Sequence, residues 1–295
     1  GIGMNGPVAF PLTDAGNGTY VLAETNISPS NLDALTSGEW YLNVHTTANP
    51  NGEVRGQIVP DTTAVVTFSL SGSQEVPAVD TMAMGSGYAL FDTTNNNVSL
   101  VAVTTIENAT MAHIHTGFAG ENGDVLVGLV ESESTAGVWM TDGSIALDEA
   151  TATQLLAGGH YVNVHTAANT GGEIRGQITP DNIEVYGIIA NGLQEVPAVT
   201  TTASGAGAFT LNTSTGALSG SVTITGMTAN MAHIHEGEMG VNGDVLIGLT
   251  AGTSGMWSVP ANTTLTAEQM NVMADGGLYT NFHSDAFPSG EIRGQ

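Results

Sequence analysis

The sequence predicts an all-β protein built from tandem antiparallel β-sandwiches, each carrying one short helix. Three observations predict it. A set of motifs recurs at an interval of 120 residues. Short stretches that alternate apolar and polar residues are separated by turns containing Gly and Asn, which is the pattern of half-buried strands. The composition is rich in Gly, Thr, Ala, Asn and Val, with only 5% aromatic residues, and that mixture suits pleated strands joined by tight turns. A hydrophobic content of 41% over 295 residues provides for two or three ordinary cores.

The repeat is plain in the residues. Gln74-Glu75-Val76-Pro77-Ala78-Val79 returns as Gln194-Glu195-Val196-Pro197-Ala198-Val199. Met111-Ala112-His113-Ile114-His115 returns as Met231-Ala232-His233-Ile234-His235, and Asn122-Gly123-Asp124-Val125 as Asn242-Gly243-Asp244-Val245. A closing motif appears three times, at Gly52-Glu53-Val54-Arg55-Gly56-Gln57, Gly172-Glu173-Ile174-Arg175-Gly176-Gln177 and Gly290-Glu291-Ile292-Arg293-Gly294-Gln295. Complete copies therefore span 61–180 and 181–295, and residues 1–60 form the second half of a copy. The junctions at Pro60-Asp61 and Pro180-Asp181 are too short for flexible linkers, so the copies are expected to stack as a semi-rigid rod. Half a sandwich leaves sheet edges bare. It is expected to be completed by chain upstream or by strands donated from a neighbouring molecule.

In the first full copy, seven strands are expected: Val65 to Leu70, Gly87 to Phe91, Val98 to Thr104, Ala112 to His115, Val125 to Val130, Tyr161 to His165 and Glu173 to Ile178. A short helix precedes the tyrosine strand. Its signals are clearest in the half copy, where Ser28 caps, Pro29 takes the first helical position, Leu32 and Leu35 share a face and Gly38 ends the helix. Leu155-Leu156 before Gly158-Gly159, and Met270 and Met273 before Gly276-Gly277, mark its counterparts.

Strand alternation sorts the side chains that carry chemistry. Tyr161, Asn163 and His165 share one face, His113 and His115 share another strand's face, and Glu173, Arg175 and Gln177 a third. The only cations of the chain, Arg55, Arg175 and Arg293, all occupy one motif position. Such placement points to a structural ion pair, with Glu53, Glu173 or Glu291 two residues earlier, or with Glu75 or Glu195. Seven of the eight histidines also sit at repeat positions: His45; His113, His115 and His165; His233, His235 and His283. Two histidines at i and i+2 on a strand, with a third from another strand, can hold Cu²⁺ or Zn²⁺ with one position open. The same set equally suits hydrogen-bonded structural imidazoles, and both readings stand at this stage. His160 has no counterpart and is expected at the surface. Asp124 and Asp244, with Glu121 or Glu238, offer oxygens to Ca²⁺, although their spacing matches no calcium loop.

Charge restricts the partners. With 28 acidic residues against three basic ones, the formal charge is −25. Such a surface repels phosphate backbones and anionic headgroups, so no nucleic-acid binding is expected. No run is long and apolar enough to span a membrane as a helix. Cysteine is absent, which removes disulfides, thiolate catalysis and cysteine-based zinc sites. No catalytic-triad order, phosphate loop or zinc-protease helix is present.

The run Ala112-His113-Ile114-His115, followed by Asn122-Gly123, then Tyr161-Val162-Asn163-Val164-His165-Thr166 and Gly172-Glu173-Ile174-Arg175-Gly176-Gln177, closely resembles the CHRD domain. That domain is named after chordin and is common in exported bacterial proteins. The resemblance covers essentially the whole chain. It implies an immunoglobulin-like sandwich, and its His-x-His strand is similar to that of copper/zinc superoxide dismutase, as an analogy of motif and architecture only. This chain lacks that enzyme's disulfide, and its negative field would repel superoxide. The expectation is thus a non-enzymatic, extracellular or cell-surface matrix or filament protein, partnered by copies of itself or by other surface proteins. A copper- or zinc-binding protein is the alternative, and a dismutase-like redox enzyme a weaker one.

Overall fold

The computed structural model describes residues 2–295, and it is built mostly of strands with three α-helices. The half copy contains β1 (Thr13–Gly16), β2 (Thr19–Val21), α1 (Pro29–Thr36), β3 (Tyr41–Val44) and β4 (Val54–Gln57). Its strands form two separate hairpins, β1 with β2 and β3 with β4. Gly38 is its one buried residue among those described. The helix starts as its residues dictate: Ser28 accepts from the Asn31 amide at 3.2 Å, and Gly38 past its end takes φ +72°.

The first full copy runs through β5 (Thr63–Ser71), β6 (Met84–Asp92), β7 (Asn97–Thr104), β8 (Ala109–Thr116), β9 (Val125–Glu131), β10 (Val138–Met140), β11 (Ile145–Ala146), α2 (Glu149–Leu156), β12 (His160–Thr166) and β13 (Ile174–Gln177). The second repeats the order with β14 (Ile183–Asn191), β15 (Ser204–Asn212), β16 (Leu218–Thr225), β17 (Met231–Glu236), β18 (Asp244–Gly248), β19 (Thr250–Ala251), β20 (Met256–Ser258), α3 (Ala267–Ala274), β21 (Leu278–His283) and β22 (Ile292–Gly294). All pairings are antiparallel.

In the first full copy the strand order is β10-β9-β8-β12-β13-β5-β6-β7-β11, and β10 pairs with β7 as well as β9. Eight strands therefore close into a ring around one core, with β11 added at the rim. Phe68, Phe91 and Leu100 meet Ile114, Val162, Val164 and Ile174 across it. In the second copy β18 and β19 are one strand broken at Leu249, and β19 pairs with β20. The three-residue strand that closes the ring is too short to stand out in the sequence, which is why seven strands were expected there. At the β13–β5 seam the ladder narrows to one pair, Arg175 opposite Ser71. Gln74 Oε1 accepts from the Gln177 amide there at 3.1 Å, so a side chain continues the ladder.

One contact between neighbouring copies recurs along the chain. The loop after β8 presses on the outer face of the next copy: Ser221 Oγ donates to the Gly120 carbonyl at 3.1 Å, and Ala119 is only 5% exposed. Gly3, the counterpart of Gly120 in the half copy, lies against Val101, which is the counterpart of Ser221. The same seat is thus used twice.

Candidate metal centre

The site grows out of the register of three strands. β8 and β12 pair with His113 opposite Asn163 and His115 opposite Tyr161, and β12 pairs with β13 with Asn163 opposite Arg175. Val162, Val164, Ala112, Ile114 and Ile174 point inward, so the histidines, Tyr161, Asn163 and Arg175 share the outer face. That face is covered as well: every residue of β12 is buried. The cover is the loop from Gly117 to Gly123 and the Gln74–Pro77 turn, tied together where Asn122 Nδ2 donates to the Val76 carbonyl at 2.6 Å. The Val76–Pro77 peptide is cis.

His113, His115 and His165 bring one ring nitrogen each to within 4.8 Å of one another, and His233, His235 and His283 do the same in the second full copy. Two of the three ring orientations in each triad are set by backbone carbonyls. His115 Nδ1 lies 3.0 Å from the Gly123 carbonyl and His165 Nδ1 lies 3.1 Å from that of Thr170. A carbonyl only accepts, so both rings carry their proton on Nδ1 and, when neutral, turn an Nε2 lone pair inward. His113 Nδ1 stands 3.1 Å from His165 Nε2. The Nε2 of His115 is buried and without a hydrogen-bond partner, as is that of His235. Burial holds His113, His115, His165, His233 and His283 below the ordinary histidine pKa. Neutral imidazoles, two of the three anchored through Nδ1 to carbonyls, suit a three-nitrogen site for a borderline cation.

A second layer supports the first. The Gly123 amide donates to Tyr161 Oη at 3.2 Å, so tyrosine holds the residue whose carbonyl anchors His115. A side chain on Gly123 would collide with the Thr116 carbonyl at 1.6 Å, which explains the glycine. Arg175, 1% exposed, donates to the carbonyls of Glu121 at 2.6 Å and Phe118 at 2.9 Å, and to Gln177 Oε1 at 2.9 Å. Gln177 Nε2 reaches the carbonyls of Gly117, Gly158 and His160. Arg293 and Gln295 repeat these contacts in the second copy.

Several expected contacts fall differently. Glu173 does not take a hydrogen bond from Arg175; it accepts from Thr166 and Thr81 at 2.7 and 2.9 Å. Glu291 accepts likewise from Ser284 and Thr201, and Glu53 from Thr46. The reason is strand geometry: Arg175 turns onto Tyr161, where loop carbonyls consume its donors. Glu75 is closer to the expectation, since Arg175 stabilises its charge across space, yet its hydrogen bond comes from Asn163 at 3.4 Å. Burial pushes the carboxyls of Glu75 and Glu195 up to about 7. His160 is not at the surface: it is fully buried, and burial pushes its pKa down to about 4. Its place in the second copy is taken by Leu278, which shows the apolar character of the position. His45 keeps the carbonyl anchor, 3.0 Å from Pro50, but joins no triad among the described residues. Asp124 and Asp244 join no such group either; Glu121 turns back to accept from the Phe118 amide.

Comparison with known families agrees with this repeating geometry. The CHRD domain matches residues 1–58, 66–178 and 186–295. The chain belongs to the CHRD family. Neither the curated proteins nor the solved structures gave a match. Within the CHRD repeats, the histidine, tyrosine and arginine positions were visible in the sequence. The role of Gln177 as a hub for three carbonyls was not, although its recurrence as Gln57 and Gln295 was a usable signal.

Proposed function

We propose that this chain is a non-enzymatic, exported surface or matrix protein of stacked CHRD repeats, in which the two full repeats each hold one copper or zinc ion on three histidines. The observation that carries the reading is the triad itself. Two repeats place three imidazoles in the same arrangement, each with a carbonyl-anchored Nδ1 and a buried, unpartnered Nε2 on the middle residue. A buried polar atom without a partner is costly, and a cation would complete it. The residues therefore fit the ion: His113, His115 and His165 would hold one, and His233, His235 and His283 the other.

The scaffold part of the reading is supported by the seat of one repeat on the next, used twice along the chain. Stacked units suit a rod or filament of like copies better than a catalyst, which needs one good site. Kinship with immunoglobulin-like and superoxide-dismutase-like sandwiches belongs to the same reading, supported by the antiparallel ring with its His-x-His strand. A dismutase-like activity is disfavoured by the −25 charge, which would repel an anionic substrate.

Metal content of the protein, purified from its source without chelator, tests the reading. Two equivalents of copper or zinc per chain, halved by either single substitution, His113→Ala or His233→Ala, is the expected result. A metal-free wild type whose variants are merely less stable would make the triads structural hydrogen-bonding clusters and overturn it.

A further inference from the structure

Met111 and Met231 hold matching places on the histidine face. Alternation along β8 puts Met111, His113 and His115 on one side and Ala112 and Ile114 on the other. Burial follows it: Ala112 and Ile114 are buried, whereas Met111 is 46% exposed. Met231 is 46% exposed as well. A large apolar side chain left half in solvent at the same position of two repeats fills no core.

The strand register gives both methionines a neighbour. Met111 stands directly opposite His165, and Met231 directly opposite His283. Opposed residues of an antiparallel pair have Cβ atoms about 5 Å apart, and the unbranched thioether of methionine spans such a gap with rotational freedom to spare. The space beside the triad is open. On the other flank His113 faces Gly128, and His233 faces Gly248. A Cβ built at either glycine would meet nothing within 4 Å.

We propose that Met111 and Met231 each supply a thioether to the ion held by the three histidines of their repeat, giving sites that select copper as Cu(I) over zinc. This deepens the three-histidine reading and rests on it. Soft sulfur donors favour Cu(I), whereas three imidazoles alone suit zinc and Cu(II) as well.

The test compares the full chain with its Met111→Leu/Met231→Leu variant, a volume-conserving change on an exposed face. Cu(I) affinity is measured by competition with a chromogenic Cu(I) chelator, and Zn²⁺ affinity by competition with a zinc indicator. The double variant is expected to bind Cu(I) at least tenfold more weakly, while Zn²⁺ affinity stays within threefold. With Cu(II) affinity unchanged, a tenfold loss lowers the copper potential by about 59 mV. If the wild type takes up two Cu(I) per chain and the variant matches it, the thioether role falls and the triad reading survives. If Cu(I) and Zn²⁺ weaken together, the methionines are structural and the selectivity proposal falls. A wild type that binds neither ion overturns both readings, before any methionine is changed.

Discussion

The guanidinium of Arg175 lies 3.4 Å from the ring centroid of Tyr161, and His115 stacks on the same ring at 5.0 Å with the planes 10° apart. Since β13 and β8 flank β12, the tyrosine is held between cation and imidazole. Arg293, Tyr279 and His235 repeat the stack at 3.4 and 4.9 Å, and Arg55 lies 3.5 Å over Tyr41. All three cations of an otherwise acidic chain therefore sit on tyrosine faces. In the two full repeats the arginines also brace the loop that carries the carbonyl anchoring the middle histidine.

Replacing Arg175 by lysine is expected to be severe. An ammonium cannot stack as a plane or serve two loop carbonyls and Gln177 together. It would leave buried acceptors unpaired at about 1–3 kcal/mol each. Chemical denaturation should show the first full repeat losing several kcal/mol, with metal uptake weakened at its triad. The same change at Arg55, which is exposed, should cost less than about 1 kcal/mol.

The contrast between the arginines and their expected partners shows where sequence reasoning reaches and where it stops. Period-2 alternation and a 120-residue repeat fix which side chains share a face, so the histidine triads and the hairpin from Tyr161 to Gln177 were legible. Contacts that depend on a loop folding back over that face were not. Glu173 stands two residues from Arg175, but Thr81, 92 positions away, takes up its carboxylate. His160 reads as a surface residue from its polarity and its lack of a counterpart, although alternation along β12 places it on the inward face with Val162 and Val164.

Glu75 and Glu195 give an alkaline sensitivity. Their carboxyls, raised in the folded state to about 7 from the ordinary 4.5, bind protons more tightly than in the unfolded chain. Their contribution is therefore favourable below pH 4.5 and is lost as the pH rises through about 7. Glu75→Gln keeps the hydrogen bond from Asn163 in kind and removes the ionisation. The variant should match the wild type near pH 4.5 and be more stable at pH 8, by about 2 kcal/mol. Equal stability at pH 8 in urea titrations would show that the charge on Arg175 already compensates the buried carboxylate.

His160 acts in the opposite direction. Its folded pKa of about 4 lies below the ordinary 6.5, so the unfolded chain binds the proton more readily. Stability from this residue is complete above pH 6.5 and drains away as the pH falls towards 4. His160→Leu, which copies the second full repeat, should flatten that acid limb by up to about 3 kcal/mol and leave stability at pH 7.5 unchanged or higher. A melting temperature followed between pH 4 and 7.5 gives the comparison.

Gly120 and Gly240 offer a paired test of whether the repeats support one another. Both have positive φ, +82° and +79°, in equivalent loops, so alanine carries a similar backbone penalty of about 1 kcal/mol at either. Their surroundings differ. A Cβ on Gly120 would come within 2.5 Å of the Ser221 carbonyl and 2.7 Å of the Ala208 amide, both backbone atoms of the next repeat, whereas a Cβ on Gly240 meets nothing within 4 Å. Met239 beside Gly240 is 81% exposed, against 5% for Ala119 beside Gly120. Any excess effect of Gly120→Ala over Gly240→Ala thus reports the seat between repeats. Calorimetry should show Gly120→Ala splitting or broadening the unfolding transition as the two full repeats lose their coupling, while Gly240→Ala only lowers its midpoint slightly. If both variants melt alike, the contact through Gly120 contributes nothing to the rod, and the stiffness proposed for the chain must come from the junction at Pro180-Asp181 and the contact of Gly158 with Ile183 and Thr210 instead.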